Sequence, residues 1–382
     1  MSRRPRIAFV HNRYPAYRHC FFDLLAQQFE VDYFFVNEWG NNLPPNAQVL
    51  RGYQIPEMSD YEVVPDLLPI LLRMSREKDY DIYVCTDLGY FITHVTFLIA
   101  RLRKKPFVLW NGQWIEVAHP RRWLMKPFEN QIVRQAGSLV AYSSKAKEFL
   151  VHRGADLDKI FVAHNASHYK YSKPSASTLA KFRTRIGGGD RRIVLFFGRF
   201  IPMKAPDLMV KAFAGVAKNF PDVYLIMAGT GPELRRVQCL VAKMGMGQVY
   251  LTGKITSSTE KDLLFASASV FVLPSRYARS AEPWGLVLNE AATAGLPLIT
   301  TDMVGATGDL VIDGKSGLVV PADDVLALQQ AIEWMFTHPE QSRQMGRRAQ
   351  DIVSEFTPEN MVKVFSNAFE VALTTLRTKG AD

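Results

Sequence analysis

Two acidic residues, Glu282 and Glu290, lie eight positions apart in AEPWGLVLNEAATAG, a segment that begins at Ala281 and ends at Gly295. The pattern predicts a helix from about the glycine of PWG. Its first turn leaves backbone N–H groups without a helical acceptor, and the helix dipole attracts an anion to that end. One carboxylate would lie on each side of a bound anion, at a distance suited to hydroxyls that flank a diphosphate. The N–H groups concerned are those of Gly285, Leu286 and Val287.

These two carboxylates also have an ordinary interpretation. Acidic residues are favoured in the first turn of any helix because the dipole stabilises them there. From the spacing alone, two ordinary early-helix acids are therefore favoured over a pair of ligand-binding residues.

A second group of residues, Gly198, Arg199 and Lys204, follows the apolar run RIVLFF. Glycine lets the backbone turn sharply, while an Arg and a Lys five positions apart can bind two oxygens of a diphosphate. The same pair of cations is common on protein surfaces. A third feature, AGTGPEL, resembles a dinucleotide fingerprint but lacks its third glycine and its companion acid, which favours a simple turn and ranks a dehydrogenase last.

The elements that must position these residues alternate along the chain. Apolar runs such as RIAFVHN, DIYVCTD, PFVLWNG, RIVLFFGR, VYLIMAG and VFVLPS read as buried parallel strands with helices between them. This alternation predicts an α/β protein with two Rossmann-like parallel-sheet domains facing a cleft. The pattern lapses near SHYKYSKPSAS and the triple glycine, so the predicted parts are domain 1–170, linker 171–190, domain 191–357 and a final helix 358–382.

Composition indicates a globular chain, since 48% of its residues are hydrophobic and 22% are charged. Its three cysteines lack the spacing of a disulfide framework or a zinc module. No apolar segment follows the basic start, and none reaches the roughly 20 residues of a bilayer crossing. We therefore expect a cytoplasmic protein, peripheral at most on the inner face of the cytoplasmic membrane.

The net charge of +9 lies entirely in residues 1–185. Two clusters dominate this charge, and one of them flanks Trp123 and Leu124. Cations interleaved with Trp suit an anionic membrane surface, although a solvated basic face is an equal alternative. Nucleic acid is not expected, because no reading motif accompanies the charge. The basic residues are Arg101, Arg103, Lys104, Lys105, Arg121, Arg122 and Lys126.

The order of the motifs in the second half resembles one known family. FFGRFIPMKAPD, LIMAGTGPEL, VYLTGKI, VFVLPS, AEPWGLVLNEAATAGLPLITTD and DGKSGLVVP are similar to the signature half of the retaining glycosyltransferases of the GT-B fold. More narrowly, they resemble the family-four, or "glycosyl transferases group 1", type with its Glu-x7-Glu motif. The resemblance covers about residues 190 to 357, and the first half resembles the family only loosely.

This resemblance implies a donor site in the second half of the chain. Arg199 and Lys204, beside Gly198, would hold the diphosphate of a nucleotide sugar, helped by backbone amides at Gly285 and Leu286. These cations would also stabilise the charge of the leaving diphosphate, which makes both of them catalytic.

The resemblance further implies that Glu282, also catalytic, binds hydroxyls of the transferred sugar and that Glu290 binds the ribose. Lys254 and Ile255 would flank the nucleobase. No metal ion or other cofactor is expected, because the fixed cations and the helix amides neutralise the diphosphate.

The first half departs from the family's pattern. Where many members have a Gly-Gly loop after the first strand, this chain reads HNRYPAYRHC, and where many have a histidine after the strand PFVLW, it reads Asn-Gly-Gln. Asn and Gln can hydrogen-bond a sugar but cannot take a proton. His119 is a surface alternative for the missing histidine. The candidate acceptor-binding residues are His11, Arg13, Tyr14, Arg18, Asn111 and Gln113.

The expected function is the retaining transfer of a sugar from a nucleotide sugar, with UDP favoured over GDP, to a hydroxyl of a glycan or lipid-linked acceptor. Assembly of surface polysaccharide, lipopolysaccharide or glycolipid is the expected setting. One alternative is a nucleotide-binding or membrane-associated scaffold with weak or no turnover. Another is a manganese-dependent transferase using Asp79 and Asp81.

Overall fold

The computed structural model describes residues 3–37, 47–49, 52–54, 63–65 and 79–379. The chain divides into two compact units. Unit 1 comprises residues 1–168 and 356–382, and unit 2 comprises residues 169–355.

Unit 1 contains a seven-stranded sheet in the order β3-β2-β1-β6-β7-β8-β9, with every adjacent pair parallel. A short antiparallel pair, β4-β5, lies outside it. The predicted strands of this half are all present, since their apolar runs are buried on both faces of the sheet. The strands are β1 Arg6–Arg13, β2 Glu30–Asn37, β3 Ala47–Val49, β4 Gly52–Gln54, β5 Val63–Pro65, β6 Ile82–Thr86, β7 Phe107–Asn111, β8 Ser138–Ala141 and β9 Ile160–Val162.

The helices of this part of the chain are α1 His19–Gln28, α2 Phe91–Leu102, α3 Pro120–Gln135 and α4 Ser144–His152. The sequence analysis did not predict α3, which begins directly after His119. Pro127 inside this helix removes one backbone donor and masks the helical pattern. The sequence interpretation also missed α4, whose N-cap Ser143 accepts a hydrogen bond from the Ala146 N–H at 3.1 Å.

Unit 2 contains a six-stranded parallel sheet in the order β12-β11-β10-β13-β14-β15. Successive strands run outward from β10 on one side and from β13 on the other, which is the Rossmann order with its reversal point between these two strands. The strands are β10 Arg192–Phe197, β11 Val223–Ala228, β12 Val249–Gly253, β13 Val270–Leu273, β14 Leu298–Thr301 and β15 Gly317–Val320.

The helices of unit 2 are α5 Ala176–Arg185, α6 Pro206–Asn219, α7 Leu234–Lys243, α8 Ser258–Ser267, α9 Val287–Thr293, α10 Val325–Thr337 and α11 Pro339–Ser354. Residues 171–190, expected as a linker, lie within unit 2 and include α5. The sequence did not predict α11 as a separate helix. It also placed the start of α9 two residues early, at Gly285, whereas the helix begins at Val287.

The last helix, α12 Pro358–Lys379, belongs to unit 1. Thr357 caps it, since its Oγ1 accepts from the Asn360 N–H at 3.1 Å. Phe365 packs against the rings of Phe9 and Trp110 in the core of unit 1. Among the described residues, no helix has both the length and the apolar character needed to cross a membrane.

Candidate functional site

The reversal point of the unit 2 sheet brings two loops together. One follows β10 and contains Gly198, Arg199 and Lys204, and the other follows β13 and contains Glu282. Ligands of open parallel sheets bind beyond the carboxyl ends of the strands at this reversal point. The motif residues of the sequence therefore lie where the topology favours a binding site.

Lys204 and Glu282 contact each other directly. The Lys204 Nζ lies 2.6 Å from Glu282 Oε2, and only 8% of either residue is exposed. Because each group is largely removed from water, the two charges depend on each other for compensation. The cation and the carboxylate that the sequence suggested for one ligand are thus an ion pair across the reversal point.

The position of Lys204 is fixed by Arg276, a residue that the sequence analysis missed. Lys204 ends a 3-10 turn that begins at Pro202, and the Arg276 N–H donates to the carbonyl of Met203 in this turn at 2.8 Å. The Arg276 guanidinium lies 2.9 Å from Asp207 at the start of α6. An arginine shortly after a strand looks like a surface residue in sequence, and only the fold reveals this contact.

Asp207 responds to these cations. Burial acts to raise the pKa of its carboxyl, but Arg276 and Lys211 outweigh burial and hold the pKa below its ordinary value. The Asp207 carboxylate therefore favours its charged form and holds the Arg276 guanidinium beside the loop that carries Lys204.

Backbone hydrogen bonds to neighbouring residues hold Glu282 in place. Its N–H donates to the carbonyl of Met303, and its carbonyl accepts from the N–H of Gly305 at 2.9 Å. Trp284, two residues on, is buried and donates from Nε1 to Asn289 Oδ1 at 2.8 Å. These bonds fix the loop on both sides of the carboxylate.

The turn into α9 needs its glycine. Gly285 has φ +89°, and a Cβ there would lie 2.8 Å from Leu273 Cδ2. The carbonyl of Gly285 accepts from the Leu288 N–H at 2.8 Å, which tightens the turn ahead of the helix. The helix begins at Val287, with no side-chain cap at its N-cap residue Leu286 among the described residues, and binding of an anion by the amides of Gly285, Leu286 and Val287 stays a prediction.

Glu290 pairs with a second residue that the sequence analysis missed, Lys261 of α8. The Lys261 Nζ lies 2.8 Å from Glu290 Oε1 and 4.9 Å from the ring centre of Tyr169. The hydroxyl of Tyr169 in turn donates to Asp262. Lys261 stands four residues into a polar helix, so nothing in the sequence distinguishes it from an exposed lysine.

The remaining donor candidates are more accessible. Arg199 and Lys254 are exposed, and Ile255 is half-buried. Lys254 and Ile255 follow β12 at the edge of the sheet, two strands from β10 and thus roughly 10 Å from it. The structure does not bring these two residues to the Lys204–Glu282 pair.

The AGTGPEL segment has a structural role, as the sequence favoured. Gly229 has φ +129°, and a Cβ there would lie 1.9 Å from the carbonyl oxygen of Gly198. Phe200 donates its N–H to the Thr230 carbonyl at 2.8 Å. The glycine lets this turn support the loop that carries Arg199.

In unit 1, the corresponding reversal point lies between β1 and β6. His11 at the end of β1 is buried and contacts Arg18 through Nε2, while Arg18 also donates to the Tyr142 hydroxyl at 2.8 Å and covers the Trp110 ring. A guanidinium only donates, so this contact requires His11 Nε2 to accept. Tyr14 is also buried.

The other acceptor candidates are similarly engaged in local structure. Asn111 is fully buried and donates to the Gln113 carbonyl at 2.7 Å. Gln113 accepts from Arg122 Nη2 at 2.7 Å. The backbone of Arg13 ends β1, but its side chain lies outside the described residues. Contact of any of these residues with an acceptor stays a prediction.

Asp79 and Asp81, the alternative manganese ligands, precede β6 at the opposite end of the sheet from these residues. Asp79 lies 3.2 Å from the Lys105 Nζ, and Asp81 lies 3.0 Å from Arg3 Nη2. Both carboxylates are thus paired with cations away from the reversal point.

Comparison with known proteins identifies the family of unit 2. Residues 181–352, which include the Lys204–Glu282 pair, match the model of a family described as "Glycosyl transferases group 1". Unit 2 belongs to the glycosyl transferases group 1 family.

Curated proteins similar to this chain support the assignment of unit 2. A GDP-mannose-dependent alpha-(1-6)-phosphatidylinositol monomannoside mannosyltransferase of Mycolicibacterium smegmatis is 30% identical over 45% of this chain and 46% of its own length. A D-inositol 3-phosphate glycosyltransferase of Streptomyces scabiei is 32% identical over 58% of this chain and 51% of its own. The chain spans about half the length of these curated relatives.

Solved structures extend the likeness to both units. The UDP complex of Anabaena Alr3699/HepE superposes with a TM-score of 0.76 and covers 96% of this chain and 99% of that one, at 17% identity. This degree of likeness shows the fold. The chain has the α/β, two-domain GT-B fold expected from its sequence.

Proposed function

We propose that this chain is a retaining glycosyltransferase that moves a sugar from a nucleotide-sugar donor to an acceptor hydroxyl. The observation that carries the proposal is the buried contact of Lys204 with Glu282 at the reversal point of the unit 2 sheet, within the residues that match the family. In the proposed complex, Lys204 would bind phosphate and the neighbouring Glu282 would bind sugar hydroxyls.

The donor's diphosphate would compete with Glu282 for Lys204. Once the Lys204 Nζ turns to a phosphate oxygen, the Glu282 carboxylate becomes available to accept hydrogen bonds from the sugar. Arg199 and the amides of Gly285 and Leu286 would bind the remaining phosphate oxygens. Catalysis would then be electrostatic, because these groups are fixed before negative charge develops on the departing diphosphate.

The ribose and nucleobase would bind farther along α9 and toward β12. Glu290 accepts from Lys261 in this structure, and its second carboxylate oxygen suits a ribose hydroxyl. Lys254 and Ile255 at the sheet edge would flank the base. We propose a uridine donor, in keeping with the UDP-glucose complex of the Anabaena protein, while the GDP-mannose-dependent relative makes guanosine the necessary comparison.

The proposed reaction uses no metal ion or other cofactor, since Arg199, Lys204 and the α9 amides provide the positive charge that the diphosphate needs. Full transfer in excess chelator would support this. Strict dependence on manganese would contradict it and return attention to Asp79 and Asp81.

For the acceptor, we propose a glycan or a lipid-linked sugar in the assembly of a surface polysaccharide, lipopolysaccharide or glycolipid. The printed name of the mycobacterial relative includes a phosphatidylinositol-linked acceptor, which supports this class. Retention would follow if the acceptor proton passes to the departing phosphate on the same face of the sugar. NMR of the product's anomeric proton tests it, and inversion would contradict it.

The deciding experiment incubates the protein with UDP- and GDP-sugars and follows slow hydrolysis and transfer to an acceptor panel. Lys204→Met and Glu282→Gln should each lower turnover by about 100-fold or more. Arg236→Ala is the matched control, since this exposed cation pairs with Glu233 in the same unit.

Near-normal turnover in Lys204→Met would show that the diphosphate binds elsewhere. Calorimetric binding of a nucleoside diphosphate without hydrolysis or transfer would favour the scaffold alternative.

A further inference from the structure

The loop between β13 and Glu282 carries an arginine in an unusual backbone conformation. Arg279 has φ +63°, which lies in the left-handed region. A residue with a Cβ is disfavoured there, whereas glycine or asparagine would fit at a lower cost. The Ala278 N–H donates to the carbonyl of Ser280 at 3.1 Å, which closes a tight turn with Arg279 at its centre. The backbone of this turn therefore gives no reason for an arginine at the position.

Both ends of this turn contact the segment that carries Lys204. Before the turn, the Arg276 N–H donates to the Met203 carbonyl at 2.8 Å. After it, the Ser280 hydroxyl donates to Met203 Sδ at 3.9 Å. Because Met203 directly precedes Lys204, the two contacts hold the turn beside this lysine. The turn is thus fixed at the reversal point of the unit 2 sheet, where a ligand of a parallel sheet binds.

The Arg279 guanidinium is exposed, and it makes no hydrogen bond or ion pair with any residue that the structure describes. Arg276 differs in this respect, since its guanidinium lies 2.9 Å from Asp207. The N–H groups of Arg279 therefore remain available to a ligand, and a guanidinium suits a phosphate because it can donate two parallel hydrogen bonds. A disfavoured backbone that carries an uncommitted cation indicates a functional position.

We propose that Arg279 is a further donor-binding residue whose guanidinium binds the phosphate linked to the transferred sugar. This inference rests on the proposed function, in which Glu282 binds hydroxyls of that sugar. Arg279 lies three residues before Glu282, on a turn held beside Lys204, so we assign it the sugar-linked phosphate and not the phosphate linked to the ribose. The turn would supply a third cation for the diphosphate.

The charges of the site also favour a third cation. A nucleotide sugar carries a negative charge on each phosphate, and Glu282 contributes another. Arg199 and Lys204 compensate only two of these three charges, and the lysine already contacts Glu282. The amides at the start of α9 add partial charge only. A largely buried negative charge without compensation is costly, and Arg279 would supply the missing cation.

The test is calorimetric titration of the full chain with UDP, GDP, UMP and GMP. The monophosphates lack the second phosphate, so they measure binding without the proposed contact. Arg279→Asn removes the guanidinium, and asparagine tolerates the left-handed backbone. We expect this variant to bind the nucleoside diphosphate that the wild type prefers about tenfold more weakly, while its affinity for the matching monophosphate changes less than about twofold.

The melting temperature distinguishes a ligand contact from a role in folding. Arg279→Asn should melt at or above the wild-type temperature, because asparagine relieves the backbone strain. Arg279→Lys keeps the charge but not the planar fork, so its diphosphate affinity should lie between those of the wild type and Arg279→Asn. Arg348→Ala is the matched control, since Arg348 is likewise exposed in unit 2 and without a partner among the described residues, but lies on α11. It should bind as the wild type does.

Three results would overturn the proposal for Arg279. These are equal diphosphate affinity of the wild type and Arg279→Asn, an equal loss of affinity for diphosphate and monophosphate, and a melting temperature of Arg279→Asn that falls together with the affinity. All three leave the proposed function intact, provided that the wild type binds the diphosphate and transfers sugar. Absence of binding of either nucleoside diphosphate to the wild type would contradict both proposals.

Discussion

The buried cations at the reversal points of the two parallel sheets have different partners. In unit 1, buried Arg18 contacts His11, the Tyr142 hydroxyl and the Trp110 ring, and the carboxylate of Asp87 also acts on it. In unit 2, Lys204 faces one carboxylate, that of Glu282. A ligand phosphate can replace one carboxylate far more easily than a whole set of packed partners.

This difference indicates which buried charges can exchange a partner within the protein for a ligand. Arg153 of unit 1 makes the same point as Arg18, because its guanidinium contacts both Glu129 and Glu116. We therefore expect substitutions at the unit 1 charges to change stability, and substitutions at the unit 2 charges to change donor binding and turnover.

The largest expected effect is on folding, in Arg153→Ala. Removal of this cation leaves Glu129, which is 1% exposed, without its hydrogen-bonded partner and with Arg122 at 3.4 Å as the nearest remaining cation, and we expect a loss of about 3–5 kcal/mol in the free energy of unfolding. Urea unfolding followed by fluorescence measures it. Lys126→Ala, which removes an exposed partner of Glu116, should cost less than about 1 kcal/mol. Equal losses of unfolding free energy in the two variants would contradict the structural importance of the buried Arg153–Glu129 pair.

Next is the effect of Arg199→Ala on turnover. We expect kcat/KM to fall by a factor of about 100 to 1,000, or about 3–4 kcal/mol, because the exposed guanidinium would act on the leaving diphosphate. The melting temperature should change little. A large drop in melting temperature with intact turnover would assign Arg199 to the fold, as in unit 1.

His94 should contribute to the pH dependence of the free energy of unfolding. Burial lowers its pKa to about 4; the Leu88 carbonyl opposes this and Arg122 adds to it. The unfolded chain therefore binds a proton first on acidification, and stability is lost as the pH falls from about 6.5 toward 4, by about 3 kcal/mol. Urea unfolding across this range should show a smaller loss in His94→Gln. An unchanged slope in His94→Gln would contradict the assignment.

The smallest expected effect is in Lys261→Met. Without its ammonium, Glu290 loses the contact that orients it, and we expect KM for the donor to rise about tenfold with kcat nearly unchanged, or about 1.4 kcal/mol. Lys261→Arg should restore KM. A drop in kcat alone would place Lys261 at the reacting atoms and not behind Glu290.

The sequence predicted the strands well, because runs such as those of β1, β7 and β10 are apolar throughout and end in polar residues. It missed α3, where Pro127 and scattered charges hide the helical period. It also predicted the region of the unit 2 site from Arg199, Lys204 and Glu282. The Lys204–Glu282 pair itself was not predictable, because the two residues are 78 positions apart and meet only through the order of the strands.

Burial of polar residues in unit 1 was equally hidden. The local sequence of HNRYPAYRHC is polar enough to resemble an exposed binding loop, and nothing in it indicates that Trp110 and Tyr142 from distant strands cover Arg18. A polar segment is exposed to solvent only where no other part of the chain packs on it, and the local sequence does not show this packing.

The last helix has a consequence for how the chain emerges from the ribosome. Unit 2 is one continuous stretch of residues, so it can fold as soon as it has been synthesised. The aromatic cluster of Phe9, Phe21 and Trp110 must wait for Phe365, although it is made much earlier. During translation, the amino-terminal half therefore remains without part of its core until α12 has been synthesised.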